Sequence, residues 1–337
     1  MLTAASCLSK EHEVILFWDD RGIVAAAKDK LGISLDRVII TKNVFSRNVS
    51  LFQRLIQLRS FDRIMFLSDG SIPFLFSKKL LVHFQFPVPW VDGRSLANRL
   101  KLMGVRRVIC NSQYTKHFID EIFAIKGRVL YPPVMLPDTQ ELYDKDNIVL
   151  SVGSFVRLSE GGTFKKYEFM IDVFKKVVDS GVKNWRLVLV GTQSKKDVDH
   201  IRYLHSKIHE YPISILENVR FKELQSLYSK AKIYWHAAGH GENLQKHPQR
   251  AEHFGITTVE AMGYGVVPVV INAGGQKEIV EDGKSGYVWN TEEEFIEKTT
   301  LLIQNVKLRE SIARYARQRA KMFSAEIFCQ ELKRCII

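Results

Sequence analysis

Two glutamates, Glu252 and Glu260, stand with seven residues between them and bracket Phe254-Gly255-Ile256-Thr257-Thr258. That arrangement suits a phosphorylated, hydroxyl-rich ligand. A glycine at a helix start lets a ligand approach free backbone N–H groups, which together with the helix dipole attract a diphosphate. A carboxylate on either side can accept hydrogen bonds from hydroxyls. The same residues also fit a purely structural role: Thr257-x-x-Glu260 has the spacing of a capping box, in which the two side chains satisfy N–H groups at a helix start. On that reading Glu252 is a loop carboxylate.

What must position these residues is an alternation, from Glu13 onward, of short apolar runs and helical patterns, the rhythm of βαβ units around parallel sheets. Strands are predicted at Val14–Phe17, Val38–Thr41, Arg63–Phe66, Leu80–Phe84, Arg107–Cys110 and Val129–Tyr131. The stretch from Tyr131 to Asp146 combines prolines with acidic and polar residues and reads as an exposed linker. A second set follows at Asn147–Val152, Trp185–Val190, Ile213–Leu216, Lys232–His236 and Val266–Ile271. The runs ending at Gly153 and Gly191 have the setting in which open α/β sheets bind ligands, at the carboxyl ends of strands. Met1–Ser9 reads as a helix ahead of the first strand, and residues 295–337 as helices. The predicted domains are 1–138 and 139–337, the last helix returning to the first domain.

Composition agrees with two folded domains. The chain has 337 residues, 46% hydrophobic and 26% charged, which supports large cores and excludes a disordered polymer. Lys78 and Lys79 interrupt the most apolar stretch, Ser71 to Trp90, so no run is long enough to cross a bilayer. Signal-peptide features are absent. Cys7, Cys110, Cys329 and Cys335 are scattered, which argues against a disulfide framework or a structural zinc site and for a reducing cytosol. The expected location is therefore cytoplasmic, peripheral at the cytosolic membrane face. The net charge of +12 divides into +8 over residues 1–138 and +4 over the remainder. A basic first half suits anionic lipid head groups or a phosphorylated acceptor. No nucleic-acid-binding signature accompanies it.

The continuation of the paired-glutamate segment is more specific. Strand Val266–Ile271, then Asn272-Ala273-Gly274-Gly275-Gln276-Lys277-Glu278-Ile279-Val280, then Asp282-Gly283 and Gly286 resemble the family-4 glycosyltransferases (glycosyl transferases group 1), retaining enzymes of GT-B fold. The resemblance implies an α/β chain of two Rossmann-like domains whose parallel sheets face across a cleft. Val149–Phe155 is similar to the family's first strand and phosphate loop, which includes Gly153 and Ser154. Carried over, Glu260 holds the ribose of a nucleotide and Glu252 contacts the donor sugar. Phe254, Gly255, Ile256 and Thr257 line the sugar and phosphate site, and Lys165 neutralises the diphosphate. The family usually has an arginine where Ser154 stands, so Arg157 is assigned that charge. His83, within Val82–Pro87, falls at a cleft position of the first domain.

The implied reaction moves a sugar, mannose or glucose, from a nucleoside-diphosphate sugar to a hydroxyl acceptor such as a lipid-linked saccharide or a polysaccharide. No metal and no cofactor beyond the donor are implied. Family members usually begin with a strand and a Gly-rich loop, so the first domain is expected to be truncated at its start. Two alternatives share the fold: a sugar phosphorylase or epimerase, and a non-catalytic sugar-nucleotide-binding protein. His236, His240, His247 and His253 lie close in sequence to Glu242 and Glu252, but their spacing is poor for zinc. Asp144-Lys145-Asp146 precedes a strand and reads as a turn, and Gly161-Gly162 to Lys166 lacks the spacing of a Walker loop. Phe84, Phe86 and Trp90 suit either a core or a lipid-facing surface.

Overall fold

The computed structural model describes all residues except 21, 47, 76–78, 138–144, 158–161, 195 and 337. Lys78, Asp144, Gly161 and the boundary expected at 138/139 fall outside that set. The chain separates into two compact units, residues 1–135 with 324–337, and residues 136–323.

The first unit runs α1 (Leu2–Leu8), β1 (Val14–Phe17), α2 (Ile23–Leu31), β2 (Val38–Thr41), α3 (Leu51–Arg59), β3 (Ile64–Ser68), β4 (Leu80–Phe84), α4 (Leu96–Leu102), β5 (Val105–Cys110), α5 (Gln113–Phe123) and β6 (Arg128–Val129). β1 and β2 form a parallel pair, and β3-β4-β5-β6 a parallel four-stranded sheet. Side chains alternate between the faces of a strand. Leu80, Val82 and Phe84 of β4 therefore face Leu58 of α3 and Ile119 and Phe123 of α5, while Leu81 faces the other way. Phe84 is thus core and not surface.

The second unit contains β7 (Ile148–Ser154), α6 (Tyr167–Asp179), β8 (Arg186–Thr192), α7 (Val198–Lys207), β9 (Ile213–Glu217), α8 (Phe221–Lys230), β10 (Ile233–His236), α9 (Ile256–Gly263), β11 (Val267–Ile271), α10 (Gln276–Ile279), β12 (Tyr287–Trp289), α11 (Glu292–Gln304) and α12 (Val306–Ala320). Its six parallel strands are ordered β12-β11-β10-β7-β8-β9. That is the doubly wound order, in which the chain reverses direction between β7 and β10. Ligands bind such sheets beyond the carboxyl ends of the strands at that reversal. Leu187 and Leu189 of β8 pack under α6 and α7, whereas Val188 and Val190 meet Tyr228 of α8 and Ala261 of α9.

A last helix, α13 (Ala325–Ile336), belongs to the first unit. Phe328 and Leu332 pack with Ala4 and Cys7 of α1 against Leu81 and Ile109 of the sheet. This packing corrects the cysteine reading. Cys7 and Cys329 are disulfide-bonded with Cα atoms 5.8 Å apart, across a sequence separation of 322. The bond is invisible in the spacing because only the return of α13 to α1 brings the two residues together. Cys110 and Cys335 are free and buried.

Candidate functional site

At the switch point of the second unit, Gly153 and Ser154 end β7 and His236 ends β10. Lys165 precedes α6, and its stem crosses Gly153 so closely that a Cβ there would lie 2.6 Å from Lys165 Cε. The Lys165 ammonium forms an ion pair with Glu252, and His236 Nε2 lies 3.0 Å from the same carboxylate. Glu252 therefore joins the start of α6 and the end of β10 to the loop before α9. Burial alone would raise its pKa, but the charge of Lys165 and the contact with His236 outweigh burial and hold the carboxyl well below the usual range. Burial pushes the His236 pKa down, against the pull of Glu252.

The Gly-Gly loop is locked to Glu252 through its backbone. Gly275 N–H donates to the Glu252 carbonyl at 2.8 Å. Gly274 has φ +60°, and a Cβ on it would come within 2.1 Å of that same carbonyl oxygen, so no other residue fits without backbone movement. This contact explains why the glutamate and the glycine pair occur together.

Glu260 sits in the second turn of α9 and has no cationic partner among the described residues. It accepts a 2.9 Å hydrogen bond from Tyr228 Oη. Burial raises its pKa to about 7, and the tyrosine offsets that only in part. The capping box is not formed. α9 begins at Ile256 with Gly255 as its N-cap at φ +118°, and among the described residues no side chain caps it. Thr257 Oγ1 instead accepts from Tyr234 Oη at 2.8 Å, and Thr258 donates to Gln276 at 2.9 Å. The first N–H groups of α9 are thus left to the chain's surroundings at the end of the sheet, the arrangement that favours an anion.

A second ionic group braces the first. Glu242 pairs with Lys166, next to Lys165, and with Arg250 at 3.0 Å, two residues before Glu252. One half-buried carboxylate thereby ties down the backbone on both sides of the Lys165–Glu252 pair. Burial works to raise the Glu242 pKa, and its two cations reverse this and lower it. Sequence reasoning assigned neither Glu242, Lys166 nor Arg250 to the site. Tyr228 and Tyr234 were equally unassigned. For His236 the available signal was its place at the carboxyl end of a strand.

Several expected residues are placed elsewhere. Arg157 lines a cavity of about 360 Å³ with Glu168, Asp199, His200 and Tyr203, and none of the cavity's described lining residues belongs to the Lys165–Glu252 group. Its backbone forms an antiparallel bridge with Thr163. Phe254 is buried edge-on to Phe323 at 5.4 Å, so its ring is core, while Ile256 is exposed. The histidines also disperse: His240 stacks on Phe169 at 3.9 Å, and His253 Nε2 lies 3.1 Å from the Gln249 carbonyl. Among the described residues no group of three His, Cys, Asp or Glu could hold a metal. Lys145 caps the end of α8 through the carbonyls of Tyr228, Ser229 and Ala231. In the first unit His83 lies in β4 between Leu67 and Ile109. It is buried, neither ring nitrogen has a hydrogen-bond partner among the described residues, and burial lowers its pKa to about 4.

Comparison with known proteins places this geometry. The family model of glycosyl transferases group 1 matches residues 136–319. An uncharacterised glycosyltransferase of Methanocaldococcus jannaschii is 28% identical over 270 residues, covering 77% of this chain and 69% of its own length. A human GDP-Man:Man(3)GlcNAc(2)-PP-Dol alpha-1,2-mannosyltransferase is also 28% identical, over 240 residues, or 66% of this chain. The match spans 46% of that relative, about half its length. The Anabaena protein HepE, solved in complex with UDP and glucose, is 18% identical with a TM-score of 0.66, covering 99% of this chain and 94% of its own. The chain thus has the GT-B fold.

Proposed function

The chain belongs to the glycosyl transferases group 1 family, and from that premise we propose that it transfers a hexose, with retention, from a nucleoside-diphosphate sugar to a hydroxyl acceptor. The observation that carries the reading is the Lys165–Glu252–His236 group at the switch point, beside the uncapped start of α9. A diphosphate seated there takes over the Lys165 ammonium. Glu252, released from that pair but still held by His236, accepts hydrogen bonds from sugar hydroxyls. Glu260 accepts from the ribose.

The chemistry then balances without a protein nucleophile. The bond between the anomeric carbon and the β-phosphate oxygen breaks, and its electron pair stays on the phosphate. The acceptor oxygen bonds to the anomeric carbon on the same face, and the acceptor proton passes to the leaving phosphate. Lys165 and the α9 amides stabilise the charge that develops on that phosphate, where excluded water makes each contact worth most.

Mannose or glucose is the sugar favoured by likeness, since one relative is named for GDP-mannose and a fold neighbour was solved with UDP and glucose. The acceptor is a lipid-linked saccharide or a polysaccharide, and the protein works at a membrane face. The experiment is donor turnover across a panel of nucleoside-diphosphate hexoses, read as nucleotide release. One donor should be consumed in the presence of acceptor, and Lys165→Ala and Glu260→Gln should each cripple it. Unchanged turnover in both variants would sink the assignment.

A further inference from the structure

Lys165 reaches Glu252 from a stretch of backbone that α7 grips on two sides, although no residue of α7 belongs to the Lys165–Glu252 group. Val156 and Arg157 stand on one arm of this stretch, and Thr163 and Phe164 on the other. Phe164 N–H donates to the Val156 carbonyl at 3.1 Å, beside the antiparallel bridge between Arg157 and Thr163. Lys165 follows two residues past Thr163. It alone of the nearby cations pairs with Glu252, since Lys166 pairs with Glu242 and Arg157 lines the other cavity.

The grip on the second arm runs through side chains. Glu168, in the first turn of α6, accepts from Thr163 twice, from its backbone N–H at 3.0 Å and from its hydroxyl at 2.9 Å. Thr163 is fully buried, and its hydroxyl oxygen also accepts the Tyr167 N–H at 2.9 Å. Thr163 thereby serves the start of α6, where Lys166 is the N-cap at φ +60° with no side-chain cap. On the far side of Glu168, the buried His200 of α7 places Nε2 2.5 Å from Oε1. Drawing a carboxylate out of water is costly unless its lone pairs are filled, and Thr163 and His200 fill those of Glu168. The grip on the first arm is direct. Asp197, the N-cap residue of α7, accepts from the Ser194 N–H and hydroxyl, and these bonds, with a further one from the Arg157 backbone N–H, hold its carboxyl below the usual range.

The first turn of α7 therefore fixes both partners of the Arg157–Thr163 bridge, and with them the point from which the Lys165 side chain starts. That point has little freedom, because the lysine stem lies against Gly153 and its ammonium stands 5.6 Å from the centre of the Phe164 ring. Displacing a binding group by roughly 1 Å from a distant position can cost about 10²-fold. We infer that His200 is a positioning residue of the donor site: it holds Glu168, Glu168 holds Thr163, and Thr163 holds the backbone that presents Lys165 to the donor diphosphate. The inference rests on the role proposed for Lys165 and deepens it, since it gives a residue of α7 control over diphosphate affinity without contact to the nucleotide.

The test is a double-mutant cycle on the full chain, read by calorimetry as the Kd of UDP and of GDP and using whichever the parent binds more tightly. His200→Leu should weaken binding about tenfold in the parent and less than about twofold in the Lys165→Ala background, where no lysine is left to misplace. His200→Gln, whose amide N–H can still meet Glu168, should keep affinity within about threefold of the parent. Thr163→Val makes the same break at the other end of the series while keeping the side-chain shape, and it replaces His200→Leu in the cycle if that variant does not fold. Equal weakening in both backgrounds, or parent-like binding by both His200→Leu and Thr163→Val, would overturn the inference and leave the role of Lys165 standing. Parent-like binding by Lys165→Ala, or binding of neither nucleotide by the parent, would overturn the reading of the donor site and the inference with it.

Discussion

The loop that carries Glu252 and the helix that carries Glu260 both draw a carboxylate out of water, and they handle the cost in opposite ways. Glu252 stays ionised because Lys165, just before α6, and His236, at the end of β10, converge on it. Among the described residues Glu260 meets only the hydroxyl of Tyr228, and burial lifts its pKa to about 7. The difference matches the separate roles proposed for them. Under that proposal, a carboxylate held charged by a lysine exchanges that lysine for a diphosphate. One that lacks a cation is under-satisfied until hydroxyl donors arrive, which suits a ribose.

The comparison can be broken most severely at Lys165. Lys165→Ala should lower kcat by about 10²- to 10³-fold, the usual effect of removing one stabilising donor from a leaving charge. It should also cost about 3 kcal/mol of stability by stranding the Glu252 charge. Adding Glu252→Gln should return most of the stability in urea titrations and none of the turnover; recovery of both would make the pair merely structural.

Acid and base should separate the two glutamates. With its pKa depressed, Glu252 contributes stability that is present above its ordinary value of 4.5 and is lost as pH falls below it. Glu260 does the reverse: with its pKa raised from 4.5 to about 7, its contribution is present below 4.5 and lost as pH climbs through about 7, by at most about 3 kcal/mol. Glu260→Gln should therefore flatten the decline in stability between about pH 5 and pH 8, and Glu252→Gln should flatten only the acid limb. Denaturant melts across that range decide it, and a Glu260→Gln profile parallel to the parent's would refute the buried, cation-free environment.

Smaller effects sharpen the picture. Glu242→Gln removes the carboxylate that braces both neighbours of the Lys165–Glu252 pair, so kcat/KM should fall about tenfold through misplacement rather than lost contact. A fall in melting temperature with unchanged kinetics would show the brace to be structural alone. Tyr228→Phe should cost only about 1 kcal/mol, since it removes one hydrogen bond. Because that bond lowers the Glu260 pKa, the midpoint of the pH-dependent decline should move upward, a shift that titration of stability can resolve.

Much of the architecture was legible because it depends on local pattern. Strands such as Val14–Phe17, Leu80–Phe84 and Lys232–His236 announce themselves by runs of β-branched and aromatic residues, and the observed strands fall on them within a residue or two. β12, Tyr287–Trp289, escaped notice because three residues give no periodicity to read. Thr257 and Glu260 have capping-box spacing, yet α9 starts at Ile256 with Gly255 as its N-cap, and buried Tyr234 and Tyr228 claim both side chains. Arg157 has the right charge three residues past Ser154, but it lines another cavity, with its backbone bridged to Thr163.

What the sequence determined by itself was the inventory and its local order: two glutamates with seven residues between them, a glycine pair that follows, a lysine before a helix and a strand ending in histidine. Tertiary structure alone decided which of these meet. Lys165 and Glu252 are 87 residues apart in the chain, and Tyr228 and Glu260 are 32 apart. Composition cannot report such meetings, because the ionisation of a buried carboxylate depends on what stands within a few ångströms of it. Here the doubly wound sheet brings the ends of β7 and β10 to one place, and that convergence gives one glutamate a cation while leaving the other with a hydroxyl.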